Sequence, residues 1–411
     1  MCGWFFNPRG SVLLLILCLW TGGLRAQEPI PTVDSTSSST LVSEPKNSWQ
    51  ADSMKSRLPR KRGLMGSVIR YFAQSNQPKN RRKLDFSVIG GPHYSTDTRL
   101  GLGLIAAGLY YTSPTDSLLP PSNLSLYADV STVGFYMVGL KGVHLSPHER
   151  FRLSYDASFV FFPTKFWGVG YDLGNDGGNE SRMNRSEVDV QTHFLFRLGP
   201  GIYLGPSLSF NWMRAAHLTR PELLLGGPAH AADVGTGATF QIDTRDVMTA
   251  PHRGFYLSLS QMLRRQLSNA RRFFFTTTFT ASTYRPLWHG STLALQAGGV
   301  LQFGSLEWNN MALLGNSHAM RGYYGGRYRD HNKLEAQAEL RQHVYRRNGL
   351  VAWIGAGTVF PKLRALRLRH ILPNWGIGYR WEFKKNVNIR LDYGMGKSGQ
   401  SGFLFNVNEA F

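Results

Sequence analysis

The segment from Met320 to Asp330 combines three arginines, three tyrosines and three glycines within eleven residues. A guanidinium can bind a carboxylate through two parallel hydrogen bonds, which fixes its orientation better than a lysine ammonium can. Glycine lets the backbone turn tightly and approach a neighbouring wall. Taken alone, such a segment is typical of a solvated hairpin tip, so the elements around it decide what Arg321 can do.

The rest of the sequence shows no arrangement that is typical of an enzyme. It has no Gly-x-Ser-x-Gly elbow, no His-Glu-x-x-His helix and no phosphate-binding glycine loop. The twelve histidines are scattered, and a polar interior explains His193 and His343. We therefore expect no catalytic residue, no metal and no cofactor. A lipase-like triad, which is defined by geometry rather than by sequence order, is the enzymatic alternative.

On both sides of the segment from Met320 to Asp330, apolar and polar side chains alternate along the chain. This alternation predicts strands with one apolar and one polar face. It recurs from residue 84 to the end of the chain and predicts sixteen strands. Their approximate spans are 84–91, 97–111, 122–134, 135–146, 150–162, 181–198, 200–214, 230–246, 253–265, 270–285, 291–305, 332–344, 347–360, 371–384, 386–396 and 402–411.

The N-terminus has the pattern of a secretory signal. Arg9 precedes an apolar run at 12–20, and we expect cleavage near Ala26. Both cysteines, Cys2 and Cys18, lie within that signal, so no disulfide is expected afterwards. No second apolar run reaches ~18 residues, the length of a membrane-spanning helix. Export without such a helix, with 13% aromatic residues and 44 glycines, favours a transmembrane β-barrel.

Residues 27–83 are expected to form a basic leader. Residues 27–60 are rich in serine, threonine and proline, lack periodicity and are expected to be disordered. Residues 55–83 contribute ten lysines and arginines and no acid to a net charge of +20. Apolar residues at helical spacing predict a short amphipathic helix near 63–75. The leader is either a solvated linker or a surface for lipid phosphates or an acidic protein, and we expect no nucleic-acid partner.

A second motif marks the hairpin between the eighth and ninth predicted strands. Pro251 and Gly254 make the turn, and after it apolar and small polar residues alternate. By itself the motif is also compatible with an ordinary charged hairpin. It combines an Asp-x-Arg-Asp and a Pro-x-x-Gly sequence, formed by Asp243, Arg245, Asp246, Pro251 and Gly254.

Together, this hairpin and the Arg-Gly-Tyr segment resemble the BamA/TamA superfamily of outer-membrane barrels, also called the bacterial surface antigen family. The resemblance covers residues 84–411. The 27–83 leader is too short to fold into the POTRA domains that usually precede such barrels, so we expect none here. The resemblance implies a sixteen-stranded antiparallel transmembrane β-barrel, placed in the bacterial outer membrane after removal of residues 1–26 as a signal peptide.

The resemblance also implies a role for the arginine segment, which lies between the eleventh and twelfth strands. In this family the corresponding loop folds into the barrel, and its arginine pairs with acidic residues of the inner wall. Asp392 is the first candidate partner for Arg321, and Glu382 is the second. Gly322 is expected to allow close approach to the wall, with Tyr323 packed beside it.

Two glutamates of the twelfth strand, Glu335 and Glu339, are expected to face the same interior. We expect them to balance the charges of Arg327 and Arg329. A water-filled lumen would screen all these ion pairs, so we expect them to position the loop rather than to add much stability.

The closing strand carries a regular aromatic face. Phe403, Phe405, Val407 and Phe411 are expected to point to the same side. An aromatic residue at the end of an alternating strand resembles the C-terminal assembly signal of outer-membrane barrels, which implies that role for Phe411. A lipid-facing position in an aromatic girdle is compatible with it.

For function, the resemblance implies protein insertion into, or transport across, the outer membrane. The implied mechanism is thinning of the adjacent bilayer and opening of the seam between the first and last strands, near 85–90 and 403–411. Expected partners are outer-membrane lipids, other outer-membrane assembly proteins and client barrels, and the chain is either the active barrel or an accessory subunit. The alternative is a passive pore or a structural barrel.

Overall fold

The computed structural model describes residues 85–95, 98–113, 119, 121–224, 226–267, 272–384, 387–407 and 409–411. The chain divides into two compact units, 1–60 and 61–411, and every described residue belongs to the second unit. The predicted signal peptide, the 27–83 leader and its helix near 63–75 lie outside the described residues.

One antiparallel sheet of sixteen strands forms the body of this unit, and each strand pairs with the next strand of the sheet. The sixteen-stranded prediction is confirmed. Two short strands, β12 and β13, pair only with each other. The strands are β1 (Asp85–Ser95), β2 (Arg99–Tyr110), β3 (Ser122–Ser131), β4 (Tyr136–Leu145), β5 (Phe151–Phe166), β6 (Ser181–Gly199), β7 (Ile202–Ala216), β8 (His230–Asp243), β9 (Gly254–Gln266), β10 (Phe273–Arg285), β11 (Ser291–Gly304), β12 (Ala312–Leu313), β13 (Arg329–Asp330), β14 (Asn332–Tyr345), β15 (Asn348–Phe360), β16 (Leu372–Lys384), β17 (Val387–Gly396) and β18 (Ser401–Val407).

The two edge strands of the sheet, β1 and β18, lie side by side over a short stretch. The sheet therefore curls back on itself like a barrel wall. Its hydrogen-bonded order begins with β1 and ends with β18, so the ladder between described strands is not closed around the barrel.

In strands such as β7 and β15, buried and exposed residues alternate along much of the strand, as the sequence pattern predicts. In β11, Leu295 and Phe303 are exposed, whereas Ala294 and Gln302 are buried. Exposed positions are largely apolar and buried ones include many polar side chains, the reverse of a water-soluble protein. An apolar outer face and a polar inner face are typical of a barrel that spans a lipid bilayer.

The three longest connections between strands of the sheet lie at the same end of the strands. In outer-membrane barrels the long connections face the outside of the cell and the short turns face the periplasm. The short-turn end includes 200–201, 286–290 and 346–347, and the long-loop end includes 167–180, 217–229, 305–331 and 361–371.

The connections at the long-loop end carry most of the short helical elements and the apolar core. No helix within the described ranges is long and apolar enough to cross a membrane. Two buried clusters lie at this end, one around Phe166, Met213 and Trp308 and one around Leu314, Tyr323 and Tyr328. The helical elements are α1 (Tyr171–Asn175) and the 3-10 turns Pro147–Glu149, Gly177–Asn179, Pro221–Leu224, Trp308–Asn310, Leu363–Ala365, Leu368–His370 and Lys397–Gly399.

Candidate functional site: a buried ion-pair network

The connection between β11 and β14 turns back into the barrel, as the family resemblance implies. The paired strands β12 and β13 form its stem, with Leu313 opposite Arg329. Beyond the stem, the Leu314 N–H donates to Tyr328 O at 3.0 Å, and the Gly326 N–H donates to Leu314 O at 3.0 Å. We call residues 314–328 the inner loop. These main-chain hydrogen bonds hold it as an ordered hairpin that carries Arg321 to the wall.

Arg321 is fully buried, and its guanidinium connects two strands of the wall. Nη1 donates to Asp392 Oδ2 at 2.7 Å, and Nη2 donates to Glu339 Oε2 at 2.6 Å. The guanidinium carbon lies 3.6 Å from the ring centroid of Trp353, a cation–π contact. Because Glu339 is in β14 and Asp392 is in β17, one side chain ties strands that are not neighbours in the sheet.

The backbone of the inner loop touches the wall directly beside Arg321. Gly322 has φ +104°, and a Cβ there would lie 2.5 Å from the carbonyl carbon of Gly394. A Cβ on Gly394 would in turn lie 2.3 Å from Arg321 O. The Asn374 amide donates to that same Arg321 carbonyl oxygen. Glycine at 322 and 394 thus permits the close approach that the resemblance implies for Gly322.

Tyr323 is anchored next to this contact. Its hydroxyl donates to Pro373 O at 2.5 Å and accepts from the Lys397 N–H at 2.8 Å. Its ring meets that of Tyr328 edge-on, with centroids 5.9 Å apart. Burial raises the pKa of Tyr323 to about 12, so the hydroxyl stays protonated and keeps its donor role near neutral pH.

Two further arginines surround Asp392. Arg380 donates from Nη1 to Asp392 Oδ1 at 2.6 Å and from Nε to Glu409 Oε2 at 2.8 Å. Arg390 Nε lies 3.6 Å from Asp392 Oδ2, and its Nη2 donates to Ser317 O at 2.7 Å. All these side chains are buried. Asp392 is therefore shared by three guanidinium groups rather than reserved for Arg321.

Arg341 connects the three motifs that the sequence singles out. Its Nε donates to Glu339 Oε1 at 2.8 Å, on the carboxylate that also binds Arg321. Its Nη1 donates to Pro251 O in the hairpin at 3.3 Å, and its Nη2 donates to Phe411 O at 2.7 Å. We call the buried set the arginine network; it consists of Arg321, Arg341, Arg380, Arg390, Glu339, Asp392 and Glu409.

The Asp-x-Arg-Asp hairpin is organised by its own side chains. Arg245 binds Asp243 through two hydrogen bonds, Nε to Oδ1 at 2.8 Å and Nη2 to Oδ2 at 2.9 Å. Asp246 Oδ1 accepts the N–H groups of Val247, His252 and Arg253 and so closes the turn. A Cβ at Gly254 would lie 2.3 Å from Thr244 O, and φ there is +109°.

The predicted outward position of Phe411 is wrong. β18 ends at Val407, and Glu409 and Ala410 are buried. The ring of Phe411 packs near the inward-facing Tyr284, with centroids 6.3 Å apart. Arg341 and Arg380 attract the main-chain oxygen of Phe411 and the carboxylate of Glu409, so the end of the described chain turns inside instead of continuing the strand.

Other predicted partners also differ. Glu382 is not a partner of Arg321: its N–H donates to Arg347 O, and its side chain lines a small cavity that is also lined by Arg380 and Glu409. The expectation that Glu335 and Glu339 balance Arg327 and Arg329 is wrong. Glu335 pairs with Lys333 at 3.0 Å, and Glu339 pairs with Arg321 and Arg341.

Arg327 and Arg329 instead bind carbonyl oxygens of loops, at Gly174 and Gly326 respectively. Their guanidinium groups also lie over aromatic rings, those of Trp167 and Phe166.

Three arginines of the network, Arg341, Arg380 and Arg390, lie outside the motifs that the sequence singles out. For Arg341 and Arg390, the spacing along the strand could have predicted an acidic partner. Arg341 follows Glu339 by two residues, and Asp392 follows Arg390 by two, so each pair shares one face of one strand. Arg380 reaches its partners from a different strand, and only the assembled sheet reveals that contact.

The network also controls ionisation at the end of the chain and in the inner loop. Burial acts to raise the pKa of Glu409, but the charges of Arg341 and Arg380 outweigh it and hold that pKa below its usual range. His318 is partly exposed; its Nδ1 lies 2.7 Å from Ala410 O, and the charge of Arg390 is close enough to act on its ring. Partial desolvation by the surrounding protein and that positive charge lower its pKa to about 4, so His318 is neutral near pH 7 and its Nδ1–H donates to Ala410 O.

The site is suited to holding structure. Its functional groups are guanidinium groups and carboxylates already engaged with each other. Within the described part of the chain, no group of three or more histidines and carboxylates could hold a metal ion. The arrangement can fix a loop, a hairpin and a strand end against one wall.

Comparisons with known proteins agree with this fold. The sequence matches no family model and no curated protein. The structure is similar to BamA from Haemophilus ducreyi lacking POTRA domains 1-3, with TM-score 0.52 and 12% identity over 79% of this chain and 70% of that chain. It is also similar to CdiB from Acinetobacter baumannii, with TM-score 0.52 and 11% identity over 81% of this chain and 60% of that one. At this identity the likeness concerns the fold: this chain shares the sixteen-stranded barrel architecture of BamA and CdiB.

Proposed function

We propose that this protein is an outer-membrane barrel that takes part in protein insertion into, or transport across, the bacterial outer membrane, alone or as an accessory subunit of such a complex. The observation that carries the proposal is the inner loop, which Arg321 fastens to β14 and β17 inside a barrel whose ladder ends at β1 and β18. The fold shared with BamA and CdiB supports it. The proposal assigns the chain no catalytic reaction.

The arginine network strengthens one side of the seam between β1 and β18. It joins β14, β16 and β17, and through Glu409 and Phe411 it holds the chain that follows β18. Buried contacts therefore join that side of the seam to the inner loop. The edge of a sheet is a template for an added strand, so a seam of this kind suits a barrel that receives a client strand.

The test is insertion of a client barrel by the purified full chain. Liposomes that contain the protein are mixed with an unfolded outer-membrane barrel, and protease-protected client is measured over time. We expect the wild type to speed client insertion relative to empty liposomes and Arg321→Ala to lose most of that acceleration. Arg253→Gln is the matched control, because Arg253 is an exposed arginine at the short-turn end.

Two results would count against the proposal. One is equal client insertion with and without the protein, combined with the absence of any assembly protein when the chain is purified from native outer membranes. The other is full activity of Arg321→Ala in a correctly folded barrel. Insertion only in the presence of a co-purified protein would favour the accessory-subunit form.

A passive pore is the competing function. A steady pore needs a continuous water-filled path, whereas the inner loop and the arginine network occupy the barrel interior. This occupation favours the insertion or transport role, and a conductance measurement separates the two functions.

A further inference from the structure

The connection between β15 and β16, residues 361–371, is unusual in its chemistry. Its sequence is Pro-Lys-Leu-Arg-Ala-Leu-Arg-Leu-Arg-His-Ile, with three Leu-Arg pairs and no acidic residue. We call it the Leu-Arg loop. It forms two 3-10 turns, Leu363–Ala365 and Leu368–His370, closed by main-chain hydrogen bonds. It is therefore an ordered surface feature at the long-loop end.

Both the cations and the leucines of this loop are exposed. Leu368 is 80% exposed and Leu363 is 58% exposed, so both leucines present most of their apolar surface outward beside the cations. No ion pair with a described carboxylate involves any of its four cations, which are Lys362, Arg364, Arg367 and Arg369.

The base of the loop is fixed to the barrel. His370 stacks on Tyr171 of α1, with ring centroids 4.2 Å apart and planes 4° from parallel. Ile371 then begins the exposed apolar row of β16, which continues through Trp375 and Ile377. The apolar part of the loop is therefore continuous with the lipid-facing surface of the barrel.

We propose that the Leu-Arg loop is a docking surface for an anionic glycolipid of the outer leaflet, with its cations on the lipid phosphates and its leucines against the acyl chains. This rests on the proposed placement in the outer membrane. Such a lipid presents phosphate next to hydrocarbon, so it satisfies both halves of each Leu-Arg pair at once. Water can hydrogen-bond to the arginines but offers the leucines no apolar contact. An acidic protein surface offers the charge without the hydrocarbon.

The test is binding of diphosphoryl lipid A to the full chain in a neutral detergent, followed by thermal stabilisation. Titrations with dephosphorylated lipid A and with phosphatidylglycerol run in parallel. We expect diphosphoryl lipid A to bind most tightly. With Lys362, Arg364, Arg367 and Arg369 all replaced by glutamine, its apparent affinity should fall by at least about tenfold, since each cation near an anionic lipid surface contributes.

A variant with the same loss of charge at the other rim provides the control. It replaces the exposed Arg150, Arg253, Arg285 and Arg346 of the short-turn end by glutamine. We expect this variant to bind diphosphoryl lipid A like the wild type. A second loop variant, Leu363→Ser with Leu368→Ser, keeps every charge and should bind several-fold more weakly if the acyl chains contact the leucines.

Several outcomes would overturn the proposal. Equal affinity of the loop and rim variants would assign the binding to net charge. Equal binding of phosphatidylglycerol would remove the glycolipid preference, and equally tight binding of polyglutamate would reassign the loop to an acidic protein. Lipid binding is measured without a client protein, so its failure and a failure of client insertion are separate results.

Discussion

At the scale of single residues, Arg321 owes its effect to the planar guanidinium. Its two terminal nitrogens lie 2.7 Å and 2.6 Å from carboxylates on different strands, and its face covers Trp353. Because Arg321 is fully buried, its ion pairs are not screened by water as they would be in a water-filled lumen. Buried ion pairs are costly to break because the partner that stays behind keeps its charge without compensation.

Replacing Arg321 should therefore destabilise the barrel. We expect Arg321→Ala to lower the free energy of unfolding by about 3 kcal/mol or more. Arg321→Lys should lose less, since one ammonium keeps the charge but cannot span both carboxylates. Urea unfolding in detergent micelles measures both. An unchanged urea midpoint for Arg321→Ala would mean that the network does not depend on the loop arginine.

His318 predicts a loss of stability in mild acid. The unfolded chain protonates this histidine near pH 6.5, whereas the folded protein resists protonation until about pH 4. Between these values the unfolded state binds more protons. The contribution of neutral His318 is therefore complete above pH 6.5 and declines as the pH falls towards 4.

The measurement compares unfolding free energies of the wild type and His318→Asn from pH 7.5 to pH 4. Asparagine can still donate to Ala410 O, but it does not titrate in this range. The wild type should lose more stability than the variant over the acid part of the range. Parallel pH profiles would show that another group causes any acid sensitivity.

At the scale of elements, the inner loop and β17 meet backbone to backbone. The contact depends on the absence of a side chain at Gly394, because a Cβ there would lie 2.3 Å from Arg321 O. The arginine network then fastens the loop at one end of this contact, and the hydroxyl of Tyr323 fastens it at the other.

A single methyl group should therefore separate these elements. We expect Gly394→Ala to cost about 1–3 kcal/mol, since backbone must shift to accept it. Gly91→Ala is the control, because a Cβ there meets no atom within 4 Å, and it should change stability by less than about 0.5 kcal/mol. Thermal unfolding of both variants measures the difference. Equal melting temperatures would contradict the close approach.

At the scale of the whole molecule, the wall, the inner loop, the hairpin and the chain after β18 converge on one buried network. Arg341 contacts the last three directly or through Glu339. The barrel is thus braced from within along β14 to β17, whereas its ladder ends at β1 and β18. Such a distribution favours motion at the seam over motion within the braced wall.

The same arrangement predicts low conductance. In planar bilayers the wild type should pass little steady current, because the inner loop and its contacts fill the interior. Replacing residues 314–328 by a short glycine-serine linker should raise the conductance several-fold, since it empties that space. Steady current of equal size from both proteins would support the passive pore.

The sequence by itself determined the strands and their faces. A period of two needs no tertiary information, because each strand is apolar towards lipid and polar towards the interior. It therefore located β11 and β14 to β17, and the family resemblance pointed Arg321 to Asp392, which the structure brings together.

Only the tertiary structure decided which inward charges meet. Inward positions on many strands offer carboxylates, and the curvature of the sheet with the course of the inner loop selected Glu339 rather than Glu382. Tertiary contacts also decided the position of Phe411. The alternation predicted that the last strand continues with Phe411 on its outer face. In the structure, Arg341 from β14 and Arg380 from β16 bind Phe411 O and the Glu409 carboxylate, and these contacts hold residues 409–411 inside. Long-range electrostatics in a buried site depends on contacts that no local pattern encodes.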